Sequence, residues 1–350
     1  MAGRRVTQAD VARRAGVSRS LVSRVLQGLD KVSDDKRERV LAAVRELGYI
    51  DNGMATALAG NRHGRLVGFF PQELSNALFG EVYDALKVGL EGKGYSLVVV
   101  EGSWDVEQED WRLRQLAGYS PDCIVVAGYA GSTDALTAAA HSIPIVSVTR
   151  RISQAGVRSV YNDDHAGAML ATRHLVDLGH RRIAHLQLPP DIPYEERAAG
   201  YTEAMRRARL APEYIIPRLA TRESAYAAVR VLCEAGDVPT AIFCGSDHMA
   251  LGAMEALRSA GLSVPDDVSL VGYDDQLMAR LVGLTTIHQA ASEQGKVAAG
   301  FVHALVEAGD IDEAGEDGSG TGEAGRPRTP FQQVIAPTLI VRSSSAPPRG

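Results

Sequence analysis

Val6-Thr7-Gln8-Ala9-Asp10-Val11-Ala12-Arg13-Arg14-Ala15-Gly16-Val17-Ser18, followed by Arg19-Ser20-Leu21-Val22-Ser23-Arg24-Val25-Leu26, decides how the amino-terminal part of this 350-residue chain reads. Thr7 is a good N-cap, and Asp10, three residues on, completes a capping box. Gly16 then permits a tight turn. A second helix starts at Ser18, and Val11, Ala12, Val17, Val22 and Val25 hold the two helices at a fixed angle. Arg19, Ser20, Ser23 and Arg24 are left pointing outward. Ser33 opens a third helix with Asp34 and Asp35 in its first turn, where the helix dipole favours acids. Val40, Val44 and Leu47 follow at helical spacing, and Gly48 suits the stop. Residues 1–50 therefore read as an all-α helix-turn-helix head.

Charge separates the head from the rest. Residues 1–65 hold 13 Lys/Arg against 7 Asp/Glu, and the remainder holds 24 against 36. A basic head on an acidic body suits a phosphate-binding module joined to a domain that does not bind nucleic acid. In a major groove the second helix presents its first residues to base edges. There an arginine makes a bidentate contact to guanine, while serines and helix N-termini suit phosphates.

From residue 66 onward, short apolar runs at 66–70, 97–100, 123–127, 145–148, 183–186, 241–244 and 269–272 alternate with helical stretches such as 79–92 and 166–178. Near-continuous apolar runs mark parallel strands covered on both faces. Alternating βα units argue doubly wound parallel sheets, and some 285 residues allow two similar lobes. Residues 51–65, with Gly53, Gly60 and Gly64, read as a linker. Residues 309–330 read as a flexible acidic insertion, 334–341 as a returning strand and 343–350 as a disordered tail.

The run Asp10-Val11-Ala12, Ala15-Gly16-Val17-Ser18 and Val22-Ser23-Arg24-Val25-Leu26, continued by Val32-Ser33, Arg37-Glu38-Arg39-Val40, Leu47-Gly48-Tyr49 and Asn52, resembles the LacI/GalR family of bacterial repressors. The likeness extends over the body through segments such as Leu178-Gly179-His180-Arg181-Arg182-Ile183-Ala184 and Val268-Ser269-Leu270-Val271-Gly272-Tyr273-Asp274-Asp275. It implies a periplasmic-binding-protein-like body of two lobes, about 66–161 with 290–308 and about 162–289 with 332–342, within an effector-binding and dimerisation domain at 66–342. It also implies a cytoplasmic homodimer bound to a palindromic double-stranded DNA operator. Thr7, Ser18, Arg19, Ser20, Ser23 and Arg24 fall on DNA-contacting positions. Asn52, Ala55 and Leu58 lie in a hinge helix, with Leu58 as the minor-groove wedge.

By the same resemblance, Arg197 and Asp274 lead the effector-binding residues, with Ser75, Asn76, Phe79, Arg150, Ser246, Asp247 and Gln289 behind them. Asp247 has a second reading as a helix cap. The chain departs from the family at Leu21, where Thr is usual, and at Asp51, Gly53 and Thr56 in the hinge. Ser246 stands where Asn is common, and Leu219-Ala220-Thr221-Arg222 lacks a sugar-stacking aromatic. The effector class implied is a sugar, with other small molecules left open, as is the choice between repressor, activator and corepressor-dependent regulator. A sugar-binding protein without DNA function is opposed by the basic head.

Neither an enzyme nor a cofactor or metal site is expected. No GxSxG elbow occurs, and Gly320-Thr321-Gly322-Glu323-Ala324-Gly325 has no strand before it and acidic neighbours. His174, His180 and His185 lack zinc-ligand spacing, and His180-Arg181-Arg182 reads as a helix end. Cys123, Cys233 and Cys244 read as buried reduced thiols. No run is apolar enough for a membrane span.

Overall fold

The structure is a computed structural model that describes residues 6–26, 32–49, 65–154, 156–188, 195–314 and 331–349. Two compact units are present, one built on residues 1–65 and the other on most of the chain from residue 66. The expected hinge residues Asn52, Ala55 and Leu58 lie outside the described residues, as do 315–330 of the acidic insertion.

The head holds α1 (Gln8–Ala15), α2 (Arg19–Leu26) and α3 (Asp34–Leu47). Its local signals act as the sequence implies. Thr7 Oγ1 accepts the Asp10 N–H, and Asp10 Oδ2 accepts the Thr7 N–H at 3.0 Å. Gly16 and Gly48 end α1 and α3 in the left-handed region, at φ +66° and +60°, where a Cβ would be strained. Val11, Ala12, Ala15, Val22, Val25, Val40 and Ala43 close one small core.

The body contains two six-stranded sheets. The first has the order β11-β5-β4-β3-β1-β2 and the second β12-β10-β9-β8-β6-β7. In chain order the strands are β1 (Arg65–Pro71), β2 (Tyr95–Val99), β3 (Cys123–Ala127), β4 (Ile145–Val148), β5 (Val157–Asn162) and β6 (Ile183–Leu186). They continue with β7 (Glu213–Ile215), β8 (Ala241–Cys244), β9 (Ser269–Asp274), β10 (Thr285–His288), β11 (Gln332–Ile335) and β12 (Thr338–Ile340). The helices are α4 (Ala77–Leu90), α5 (Val106–Ala117), α6 (Thr133–Ala140), α7 (Asp164–Asp177), α8 (Glu195–Arg207), α9 (Arg222–Ala235), α10 (Asp247–Ser259), α11 (Leu277–Leu281) and α12 (Ala291–Ala314).

Strand β8 shows why the apolar runs are continuous. Ala241 and Phe243 pack with Ala168, Ala171 and Tyr201 of α7 and α8, whereas Ile242 and Cys244 pack with Val229, Met249 and Ala253 of α9 and α10. Both faces are covered, so no position is free to be polar. In the first lobe α12 seats tightly on α4. A Cβ on Gly295 would fall 2.5 Å from Val82 O, and one on Gly89 2.5 Å from Ala299 Cβ.

The chain passes between lobes after β5, after β10 and between β11 and β12. The last passage corrects the single strand expected at 334–341. β11 pairs parallel with β5 in the first lobe, while β12 pairs antiparallel with β10 in the second. Residues 332–335 thus belong to the first lobe, not the second. Ala336-Pro337 separates the strands, and proline has no N–H for a ladder. Strands β5, β7 and β10 add to the runs read from sequence. The stretch 309–314, expected to open the acidic insertion, instead continues α12 to Ala314.

Residues 343–349 of the tail are seated on the body, contrary to expectation. Ser344 exchanges backbone and hydroxyl hydrogen bonds with Leu270 and Thr285, and Arg349 pairs with Asp266 and Asp267. His180 closes the end of α7 with its backbone, donating its N–H to Leu175 O at 3.1 Å. Its side chain is buried, with the ring nitrogens on Thr240 Oγ1, Ser269 Oγ and Ala346 O, clamping the tail to β9. Cys123 and Cys244 are buried, and Cys233 is half-buried.

Candidate DNA-reading face and effector cleft

In the head, α2 buries Val22 and Val25 and exposes Arg19, Ser20 and Arg24. Ser23 and Leu21 are half-buried, and Thr7 and Ser18 are exposed. Ser18 Oγ accepts the Leu21 N–H at 3.2 Å, which fixes the first turn and so the direction of Arg19 and Ser20. Each sequence-predicted head residue through Arg24 is therefore described, and Arg19, Ser20 and Arg24 lie on the solvent side of one helix.

In the body, the carboxyl ends of the central strands face each other across the cleft. Doubly wound sheets bind ligands at that end. Asp274 is the last residue of β9, buried, with φ +126°. Gln289 Nε2 donates to its Oδ1 and Gln276 Nε2 to its Oδ2. Burial pushes its carboxyl up to about 6, against the opposing pull of the Arg197 charge and the two carboxamide donors.

Arg197 is buried on α8. Its Nε lies 3.2 Å from Asp164 Oδ2, one terminal nitrogen donates to Gly245 O at 2.6 Å, and its guanidinium lies 3.9 Å from the centre of the Tyr273 ring. The Tyr273 hydroxyl donates to Asp164 Oδ1 and accepts from Asn162 Nδ2. The structure thus brings Arg197, Asp274 and Gln289 to one end of the C-terminal lobe.

The other expected residues divide. Asn76 caps α4 by accepting the Leu78 N–H, and it also accepts from Gln276 across the cleft. Ser75 is exposed. Phe79 is buried, its ring tight against Gly128. Arg150 donates to Tyr129 O and lines a cavity of about 350 Å³ with Asn162, Asp164, His165, Glu195 and Glu196. Ser246 N-caps α10 through the Met249 N–H. Asp247 does not cap. Its carboxylate takes the Gln276 N–H and the Thr286 hydroxyl, and burial beside Asp274 holds its own pKa well up.

Sequence reasoning missed Gln72, Thr149, Asn162 and Gln276. Among the described residues, Gln72 Oε1 and Nε2, Thr149 Oγ1, Asn162 Oδ1 and Gln289 Oε1 are buried with no hydrogen-bond partner. They sit at or just past the ends of β1, β4, β5 and β10. Buried polar groups are seldom left unsatisfied, so a cluster at the mouths of strands marks a binding surface. Thr149 also has φ +69°, a strained backbone for a β-branched residue. The available signal was a polar residue following an apolar run, as Gln72 and Thr149 do.

A capped helix-turn-helix head joined to a two-lobed body of this kind defines a DNA-binding transcription regulator with a small-molecule-binding domain. Residues 7–52 match the family described as bacterial regulatory proteins, lacI family, and residues 172–345 match a periplasmic binding protein-like domain. The ribose operon repressor of Haemophilus influenzae is 31% identical over 298 residues, 83% of this chain and 89% of that one. The HTH-type transcriptional repressor PurR of Klebsiella pneumoniae is 33% identical over 297 residues, 83% and 87% of the two chains. The crystal structure of the Lac repressor dimer bound to operator and the anti-inducer ONPF superimposes with a TM-score of 0.78 at 27% identity, covering 98% of this chain and 100% of that one. The CelR–cellobiose complex gives 0.65 at 28%, covering 97% and 100%. The chain belongs to the lacI family of bacterial regulatory proteins.

Proposed function

We propose that the chain is a cytoplasmic repressor that binds a palindromic operator as a homodimer, with operator affinity set by a small neutral polyol in the cleft. Arg19, Ser20 and Arg24 read bases, while Thr7, Ser18 and Ser23 hold phosphates. Residues 51–65 link head to body, and Asn52, Ala55 and Leu58 reach the DNA.

The observation that carries the effector reading is the set of unpartnered buried groups on Gln72, Thr149, Asn162 and Gln289, at the carboxyl ends of β1, β4, β5 and β10, with Gln289 also donating to the Asp274 carboxylate. Most are acceptors, which suits a ligand rich in hydroxyl donors. An anionic effector is disfavoured. Arg197 is already matched by Asp164, and Asp274 adds further negative charge. The cleft binds and does not react, in this reading, because Asp274 and Asp247 are immobilised as hydrogen-bond acceptors.

Selection of bound duplexes from a random pool tests the DNA half. A palindromic consensus is expected, and a pool that never enriches would refute the proposal. Thermal shift with a panel of neutral sugars tests the other half, with Asp274→Asn as the unresponsive control.

For the dimer, α11 supplies a surface. Leu277 and Leu281 are 62% and 70% exposed, and Met278 and Val282 lie beside them. Such an apolar cluster on a soluble body suits a self-complementary contact. Leu281→Asp places a charge there twice per two-fold interface and is expected to cost about 2–4 kcal/mol of association. Sedimentation at micromolar concentration should then show monomer. An undiminished dimer would remove α11 from the interface.

A further inference from the structure

Gln276 lies two residues beyond Asp274, at the cap of α11, and is buried. Its side-chain nitrogen donates to Asp274 Oδ2 at 3.1 Å and to Asn76 Oδ1 at 2.8 Å. The first bond stays within the C-terminal lobe, and the second crosses the cleft. A carboxamide nitrogen carries two hydrogens, so both bonds form together. The backbone beneath is fixed as well. The Gln276 N–H donates to Asp247 Oδ2 at 2.8 Å, and Asp247 Oδ1 takes the Thr286 hydroxyl. On the other side, Asn76 Oδ1 also accepts the Leu78 N–H that starts α4. One amide therefore joins the effector carboxylate to the first turn of a helix in the opposite lobe.

We propose that Gln276 is a positioning residue of the effector site, a clasp that orients the Asp274 carboxylate and shuts the lobes through Asn76, so that occupancy at Asp274 is felt at α4. This rests on the effector reading of the cleft. Successive positive φ values at Asp274 and Asp275, +126° and +62°, show that the surroundings hold this corner in a costly backbone conformation. Such strain clusters where geometry is functional.

The clasp has a pH signature. The charged groups around Asp274 are Arg197 on α8, Asp164 on α7 and Asp247 on α10. Asp275, next in sequence, is paired with Arg342, Arg280 and His288. An acid whose folded pKa is raised costs stability as pH rises from its unfolded value, near 4, to its folded value. For Asp274 that interval ends at about 6. Gln276 is one of the groups that lower this value, so removing it moves the upper end of the interval to higher pH.

The test uses the full-length protein, with Asn76→Ala, Gln276→Leu and the double variant melted from pH 4 to 8. Two results are expected. At neutral pH the double variant loses less than the sum of the two single losses, because the Gln276–Asn76 bond is counted in both, whereas the Asn76 cap and the Asp274 bond are each lost once. The difference between Gln276→Leu and wild type also grows as pH passes 6, while that for Asn76→Ala stays flat. The buried Glu109 carboxyl, pushed up to about 7, titrates in both proteins and cancels in the difference. Additive melting losses overturn the bridge between lobes, and a pH-independent Gln276→Leu difference overturns the positioning of Asp274.

If Gln276→Leu does not fold, Gln276→Met, of similar length without the donors and without a titrating group, repeats both arms. In a third arm, the neutral sugar that most raises the wild-type melting temperature is titrated into Gln276→Leu. Roughly tenfold weaker binding is expected from the loss of one charge-assisted bond, and equal affinity counts against the clasp. A panel that leaves the wild type unmoved counts against the polyol reading alone, and the melting cycle still decides the clasp.

Discussion

Alanine at Arg24 or Arg19 is expected to lower operator affinity by roughly 30-fold to more than 10⁴-fold without unfolding the head. A bidentate arginine–guanine contact is worth about 1–3 kcal/mol, and a two-fold dimer on a palindrome makes it twice. Both side chains are exposed, and the head core is built from Val11, Val22, Val25 and Val40 instead. Surface truncations of this kind usually change stability by less than about 0.5 kcal/mol. Anisotropy titrations on the selected operator and on single-base variants separate two roles. A base contact relaxes the preference at one position per half-site. A phosphate contact weakens all sequences alike and lowers the salt slope by about 0.9 per contact. Unchanged affinity for both variants would remove α2 as the reading element.

Arg197→Ala is expected to destabilise the body by about 3–5 kcal/mol, since it strands a buried carboxylate. Asp164 loses its guanidinium, Gly245 O loses its donor and Tyr273 loses the cation over its ring. For a domain of this size, that corresponds to a fall of very roughly 6–20 °C in melting temperature. The cause is checked by a second change. Arg197→Ala combined with Asp164→Ala removes both charges and should recover part of the loss, because the single variant's penalty lies mostly in the unpaired acid. A double variant no more stable than the single would mean that packing, not charge, dominates at this position. Response to sugars should vanish in both, as the wall of the cleft is lost.

Local chemistry carried much of this protein into view. Thr7 with Asp10, Gly16 and Gly48 act within one helical turn, so the head was legible from short spacings alone. Strands such as 123–127 and 241–244 were legible because both faces are buried and every position must be apolar. Strand β5, with Arg158, Ser159 and Asn162 among its residues, carries no such run, and β7 has only three residues. At Arg197, Asp274 and Gln289 the family resemblance named residues that do converge.

What sequence determined by itself was therefore the head and the fully buried central strands with the helices between them, in their order, because caps, glycine turns and apolar runs depend on neighbours a few positions away. Tertiary structure alone decided which lobe claims residues 332–335, that the tail is seated against β9, and that Gln276 joins the Asp274 carboxylate, also held by Gln289, to Asn76 of the other lobe. Those partners are brought together by sheet pairing and lobe closure across as many as 200 positions of chain. No local pattern of side chains encodes such distances.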